Sequence, residues 1–446
     1  MLPTAMPNRR DARPDQDWSS GSSVEDAVDA LEDGDRTIRV GTARAALQYP
    51  VFRRVYLGAF ISNVGSWMQN VVLGALAYDL THSPTFVGIL VFAQLGPLLL
   101  FSLVGGLLAD SLDRRRLLIG VSITQGLLSL ALAAVVRSDD PSRVLMVLVV
   151  FAIGMGQAIF GPTYGAVLPS LVDKKDLAGA ISLNSVQMNG SRVIGPVIGS
   201  AMAVRLGESS VFIVNAASYL LVLWGLHGIK LPAPVVPEQQ LTPLRRIAAG
   251  VRAARNDTVI WRCLLIVFLF SLLSLTFVGQ LPTVADLNLG IEAKSQEYGF
   301  LYTCFGIGAL LGALSIGTVL AGRDLAQVAR RGLALFAGFL GLFAFVRSPG
   351  LAYPMILLVG LAYFAVITSL STVLQQQLED RDRGRVMALW IMAFGGTVPI
   401  GNLIAGPVIE ATSVTAVVLF GAIVAGMLAV VRLGPAVAVA PGDATS

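Results

Sequence analysis

From about residue 55 to residue 434 the chain is a succession of long apolar runs separated by short polar breaks. Each run approaches the roughly 20 mostly apolar residues that a helix needs to cross a bilayer. The pattern divides into twelve: 55–79, 84–109, 115–137, 143–168, 178–204, 209–229, 259–284, 298–321, 328–346, 351–376, 386–409 and 413–433. Hydrocarbon offers no water to backbone amides, so such runs fold as helices that satisfy their own hydrogen bonds. The pattern predicts an all-α polytopic membrane protein.

The longest interruption, Leu231 to about Asp257, opens with Pro232, Pro234 and Pro237 and divides the spans six and six. Five regions follow: a tail (1–50), an N-terminal six-helix bundle (51–230), a linker (231–257), a C-terminal six-helix bundle (258–434) and a second tail (435–446). The first tail mixes nine acids and six arginines with Pro, Gly and Ser, too little apolar surface to fold, and has no secretory signal. In the linker, "TPLRRIAAGVRAARND" has Thr242 as N-cap, Pro243 at the first helical position, and Leu244, Ile247, Ala248 and Val251 on one face. With Arg245, Arg246, Arg252 and Arg255 elsewhere around it, this helix lies on the membrane surface or is a solvated connector, and both readings stay open. The halves echo each other: Gly106 and Gly312, Gly190 and Gly396, and Gly195 and Gly401 are each 206 positions apart.

Composition agrees with the pattern. The chain is 55% hydrophobic and 13% charged, against about 25% charged in a soluble domain. Its net charge of +4 reports orientation rather than nucleic-acid binding, because 26 basic residues fall on one side of the predicted spans and five on the other. By the positive-inside rule both termini are cytoplasmic, in a cell membrane. Cys263 and Cys304 both lie inside apolar spans, and His82 and His227 lack any metal-ligand spacing, so neither a disulfide framework nor a metal is expected. There is no P-loop motif, and "GIGALLG" sits within a span, where it reads as close helix packing. No cofactor and no enzymatic activity are expected.

Between the second and third spans, "GLLADSLDRRRLL" carries five charged residues from Asp110 to Arg116. It resembles the loop 2–3 signature of the major facilitator superfamily, with Gly106, Leu108, Ala109, Asp110, Arg114 and Arg115 in place. Ser111 and Asp113 depart from that signature. Asp113 resembles the branch holding the enterobactin and macrolide exporters, as do "ISNVGSWMQNVVLGALAYDLTHSP" in span 1 and "QQQLEDRDRGRVMAL", whose Asp382, Arg383, Gly384 and Arg385 form loop 10–11. In span 5, "SRVIGPVIGS" keeps Gly195, Pro196 and Gly199 of an antiporter signature but has Ser191 and Ser200 at its outer glycine positions. These small residues also suit plain helix packing.

The resemblance implies two pseudo-symmetric six-helix bundles, a central cavity, and a monomeric exporter of an amphipathic small molecule (drug, siderophore or secondary metabolite) exchanging it for protons. It also implies that Asp110 docks at the start of helix 11 as a latch, while Arg114 pairs with Asp173, Asp176, Glu379 or Asp380. A lipid or lysolipid transporter of the same fold and a non-transporting receptor are the competing readings.

Asn63, Ser66, Trp67, Asn70 and Gly74 recur at helical spacing on one face of span 1. Facing lipid, their amides would lack partners, so this face meets a cavity or another helix. Gln157, Asn184, Gln187, Ser271 and Tyr302 are further cavity candidates, with Ser274, Tyr298, Phe305, Tyr363 and Trp390 as possible lining. Arg192 is the one charge deep within a span. It binds an anionic or carbonyl group in the cavity, or pairs with backbone carbonyls. Asp79, Asp286 and Glu410 near the outer span ends are expected to be solvated, and no residue is singled out as the proton carrier.

Overall fold

The computed structural model describes residues 40–229, 231 and 243–433. Residues 1–39 of the expected first tail, the second tail, Thr242 and the Pro232–Pro237 stretch lie outside the described residues, as do the side chains of Asp110, Asp380 and Arg381 and those of residues 243–246. The end of the first tail corrects its reading as unfolded: Ala43–Ala46 is a short helix packed on the helix Leu177–Leu206, with Ala45 and Ala46 buried.

Twelve helical crossings follow in chain order. The first six are α1 Pro50–Thr81, α2 Pro84–Ser111, α3 Arg114–Val136, α4 Arg143–Val167, α5 Leu177–Leu206 and α6 Glu208–Leu226. After a linker helix, Pro243–Asn256, come α7 (258–289), α8 Gln296–Gly317, α9 Leu325–Phe345, α10 Pro349–Gln377, α11 (380–411) and α12 Val414–Val430. Two of them change pitch within their length: α7 has a π-helical turn at Phe270–Ser274 and α11 has one at Met392–Gly396. Polar caps set the boundaries. Ser83, Asp113, Ser142, Asp257, Ser295, Asp324 and Ser413 each accept a backbone N–H from the turn that follows.

Eight crossings, α3, α4 and α6 to α11, are long and apolar enough to span a membrane by composition alone. The first part of α2, Pro84–Leu99, and α12 are shorter apolar helices. The remaining two, α1 and α5, are long, at 32 and 30 residues, but rich in polar side chains, of which Ser62, Gln69, Gln187, Ser191 and Ser200 are buried.

The packing repeats between halves. Helix α2 lies on α4 as α8 lies on α10, and α3 lies on α6 as α9 lies on α12. The halves meet along α2 with α11 and along α5 with α8, a pairing that exchanges under a pseudo-two-fold axis. The helices approach closely where side chains vanish: a Cβ on Gly406 of α11 would stand 2.6 Å from the Pro84 carbonyl oxygen of α2.

Two local readings need correction. Asp382, Arg383, Gly384 and Arg385 form the first turns of α11 rather than a loop, because Glu379 caps a helix that begins at Asp380, ahead of the apolar run. Asp382 favours this start as an acid near the positive helix end, and Arg385 Nη1 pairs with it at 3.4 Å. The linker helix turns Gly250 and Ala254 inward against the start of α11, while Ala248 is exposed. Its buried face is therefore set one residue off the expected one, and it covers protein.

Candidate functional site

The polar face of α1 divides among several neighbours. Asn70 Oδ1 accepts from Gln94 Nε2 of α2, and the Ser66 hydroxyl lies 3.4 Å from the Tyr219 hydroxyl of α6. Behind them Gln69 accepts from Asn215 Nδ2 at 2.8 Å, and the same nitrogen reaches Ser129 Oγ at 3.3 Å. These groups join helices within the N-terminal half. Gln69, Gln94, Ser129 and Asn215 were visible in the sequence as polar residues inside apolar spans, yet they fall off the stripe that singled out Asn63 and Asn70. Asn63 is half-buried.

Trp67 has a different environment. The Arg192 guanidinium carbon lies 5.0 Å from the Trp67 ring centroid and 4.5 Å from that of Phe364 on α10. Tyr302 of α8 closes the cluster, its ring 6.3 Å from Trp67, and Phe305 stacks on Tyr363 at 5.8 Å. The site stands where the halves cross, since a Cβ on Gly306 of α8 would meet the Arg192 carbonyl oxygen at 3.0 Å. Arg192 Nη1 is enclosed and has no hydrogen-bond partner among the described residues. A central arginine costs at least ~2.5–3.5 kcal/mol to insert. Two desolvated cation–π contacts at roughly 1–2 kcal/mol each offset much of this, but a buried donor left unbonded still costs about 1–3 kcal/mol. The arrangement holds a charge and leaves its hydrogen-bonding edge unfilled.

Of the expected cavity residues, the structure brings together Trp67, Arg192 and Tyr302. Phe364, an apolar residue in an apolar run, gave no signal in the sequence. Gln187 is buried and accepts from the Tyr164 hydroxyl at 3.3 Å. Asn184 faces Met188 one turn away, and Gln157 is exposed on α4. Ser271 is fully buried in the π turn of α7, its hydroxyl without a partner, while Ser274 donates to the Gly421 carbonyl of α12 at 2.8 Å. A groove of about 680 Å³ between α3 and α4 is lined by Leu117, Gly120, Thr124 and Met155 and by none of the central residues.

The helix 5 signature packs α5 on α1. A Cβ on Gly195 would meet Trp67 Cβ at 2.5 Å, and one on Gly199 would meet Met68 Cα at 2.9 Å. Their small size seats the helix that carries Arg192 beside Trp67. Ser191 and Ser200 donate back to the carbonyls of Gln187 and Pro196, each at 2.7 Å.

Around loop 2–3, Gly106 and Asp110 fall in the last turns of α2, and the Asp110 side chain lies outside the described residues. Arg115 Nε donates to the Leu226 carbonyl at 2.9 Å and Arg114 Nη1 to that of Ala166 at 3.3 Å, so both tie the start of α3 to the ends of α6 and α4. Asp176, one acid offered for Arg114, instead accepts from the Gly41 amide at 2.8 Å and the Tyr49 hydroxyl at 2.9 Å. The Gly41 hydrogen bond, its largest influence, holds this carboxyl below its ordinary range despite some desolvation. The phenol of Tyr49 is pushed up to about 12 by desolvation and by Asp176.

At the opposite, far side, the three acids expected to be solvated bridge the halves. Lys294 Nζ, from the loop after α7, lies 2.7 Å from Asp79 of α1 and 2.9 Å from Glu208 of α6. The Tyr78 hydroxyl donates to Asp286 at 3.1 Å. Glu410, in the last turn of α11, accepts from Ser83 Oγ at 2.6 Å and from the Thr85 amide at 3.2 Å, at the start of α2. Desolvation alone would lower the Lys294 ammonium, but its two acids hold it above its ordinary value. The partners lie hundreds of positions apart, so the sequence showed the exposure of Glu410 and the partial exposure of Asp79 and Asp286 but not the contacts they make across the halves.

Comparison with known proteins agrees with this architecture. The family described as transmembrane secretion effectors matches residues 41–446. Enterobactin exporters EntS of Shigella boydii (serotype 4) and Escherichia coli (strain SE11) are each 30% identical over 355 residues, covering 77% of this chain and 81% of the relative. Among solved structures, a mutant form of the nucleoside transporter NupG is 16% identical with a TM-score of 0.69, covering 85% of this chain and 98% of that one. A bacterial homolog of the human lysosomal transporter Spinster, inward-facing and occupied, is 15% identical with a TM-score of 0.65, covering 86% and 95%.

Proposed function

Since the chain belongs to the transmembrane secretion effector family of the major facilitator superfamily, we propose that it exports a siderophore-like amphipathic molecule by alternating access, in exchange for protons. The family is one of multi-pass secondary transporters rather than enzymes. The observation that carries the proposal is the cluster of Trp67, Arg192, Tyr302 and Phe364, which draws on both halves where they cross at mid-depth. A solute held there contacts α1, α5, α8 and α10 together, and only contacts that differ between two states can bias an equilibrium between them.

The moving units are residues 51–230 and 258–434, joined by the linker at 231–257. Asn63, Asn70, Gln157, Asn184, Gln187 and Ser271 line the route to the cluster in one state or the other. Asp110 docks on the first turn of α11, beside Asp382 to Arg385, when the linker side is closed. Gly106 lets the two helices approach, and Arg114 and Arg115 brace α3 beside them. The protein works as a monomer in the cell membrane with both termini cytoplasmic, as the excess of basic residues on the linker side supports.

Purified protein in proteoliposomes tests the reading. An imposed proton gradient should drive uptake of a catecholate siderophore into inside-out vesicles, and an uncoupler should abolish it. Transport indifferent to the gradient would remove protons from the mechanism, and no movement of any amphipathic solute would remove export. Cytoplasm-active reporters fused after Ser446 and near Pro234 should be active and one near Lys294 silent, and the reverse pattern would invert the orientation.

A further inference from the structure

The surroundings of Arg192 restrict the chemistry of whatever completes them. A guanidinium is planar, with all five donors in its plane and a π-face on either side. The Arg192 guanidinium carbon lies over the Trp67 ring of the N-terminal half and the Phe364 ring of the C-terminal half. At its edge Nη1 stands enclosed without a partner among the described residues. No ion pair to Arg192 occurs among the described residues. The titratable groups that face it are the phenols of Tyr302 and Tyr363, with no carboxylate among them. No acid among the described residues balances this charge.

We propose that Arg192 is the specificity-determining residue for a planar anion, two coplanar oxygens sharing one negative charge and attached to an aromatic ring. Such an anion fits the edge of a guanidinium with two parallel hydrogen bonds, a geometry that a spherical ion or a neutral amide does not match. The attached ring would lie among Tyr302, Phe305 and Tyr363, whose rings already pack edge-on or stacked at 5.8 to 6.2 Å. Aromatic carboxylates have this chemistry. The inference rests on the transporter reading, and it adds that the cargo supplies the counter-charge of the site.

Calorimetric titration of the intact protein in nanodiscs decides it. Benzoate should bind at least about tenfold tighter than benzamide, which has the same ring without the charge. Arg192→Gln should bring benzoate down to the benzamide level. Arg192→Lys, which keeps the charge but loses the fork, should recover only part of the preference. A catechol arm tests the charge itself: Arg192-dependent binding of catechol, a neutral diol at neutral pH, with none of benzoate overturns the proposal. Should the arginine variants fail to fold, Phe364→Leu keeps Arg192 and removes one of the two rings that hold its guanidinium, and it should weaken discrimination between nitrate and chloride. Equal binding of benzoate and benzamide overturns the proposal, as does a preference unchanged in both Arg192→Gln and Phe364→Leu, or no binding of benzoate and catechol at millimolar concentration. Export of an amphipathic dye from proteoliposomes is measured alongside. Dye export without anion preference sinks this inference alone, whereas wild-type protein that moves no solute sinks the reading beneath it.

Discussion

At the far-side rim Lys294 of one half meets Asp79 and Glu208 of the other, while at mid-depth Arg192 meets the rings of Trp67 and Phe364. Both sites carry charge from one half to the other. The rim charges are complete and partly wet: their side chains are 22–41% exposed. The central charge is incomplete: its Nη1 is buried without an acceptor among the described residues. A satisfied pair needs nothing further and serves to hold two surfaces together. An unsatisfied donor between the halves is a partner for something that arrives when they part.

Substituting the two cations tests that distinction most sharply. Arg192→Gln should lower transport of the cargo by tenfold or more with little change in folded protein, measured as initial rates against amount in the membrane. Lys294→Gln should leave cargo affinity as it was. Equal losses at both positions would erase the contrast.

Glu410→Ala comes next. It removes the acceptor of two hydrogen bonds at the start of α2, and a loss of about 1 kcal/mol at this exposed site shifts the closed-to-open ratio roughly fivefold. A maleimide probe at Ala75→Cys, buried beneath Lys294, should react about five times faster once Cys263 and Cys304 are replaced by Ser. An unchanged rate would show that α2 and α11 stay closed through packing alone. Asp79→Asn should have a smaller effect, about twofold and fading with salt, because exposed pairs are worth roughly 0–1 kcal/mol.

The smallest effect is expected on the linker side, where Asp176 holds Gly41 and Tyr49. Its carboxyl lies below the ordinary range in the folded protein, so its contribution is present above the unfolded value near 4 and lost as pH falls through the folded one. Limited proteolysis should cut around residues 41–49 only in acid, and Asp176→Asn should be cut at neutral pH. Cleavage independent of pH in the wild type would release Asp176 from this role.

Much of the fold was legible in one dimension, because a bilayer imposes one length on every crossing and the hydropathy pattern records it. The pitch changes at Phe270–Ser274 and Met392–Gly396 were not, since "FSLLS" and "MAFGG" look like any apolar turn. Arg192 stood out as a lone charge, and its α5 neighbours Gly195 and Gly199 as small residues. Its second ring, Phe364, did not, because burial against a cation leaves no mark on a phenylalanine. The contacts of the rim escaped the sequence for a related reason: Ser83 and Glu410 are 327 positions apart, and only the folded pairing of α2 with α11 joins them.

The π-helical turns carry a consequence for how the two halves move. At Phe270–Ser274 the Leu275 amide reaches back five residues to Phe270, and the Met392–Gly396 turn lies against Leu98 and Leu99 of α2. Widened turns weaken the local ladder and concentrate bending. Both belong to the C-terminal half, and none occurs among the described residues of the N-terminal half. The two bundles share a packing plan but differ in stiffness. Amide hydrogen exchange should therefore be fast at two narrow bands in α7 and α11 and slow at the matching depths of α1 and α5. One bundle would swing as a lever, and the other would flex around its load.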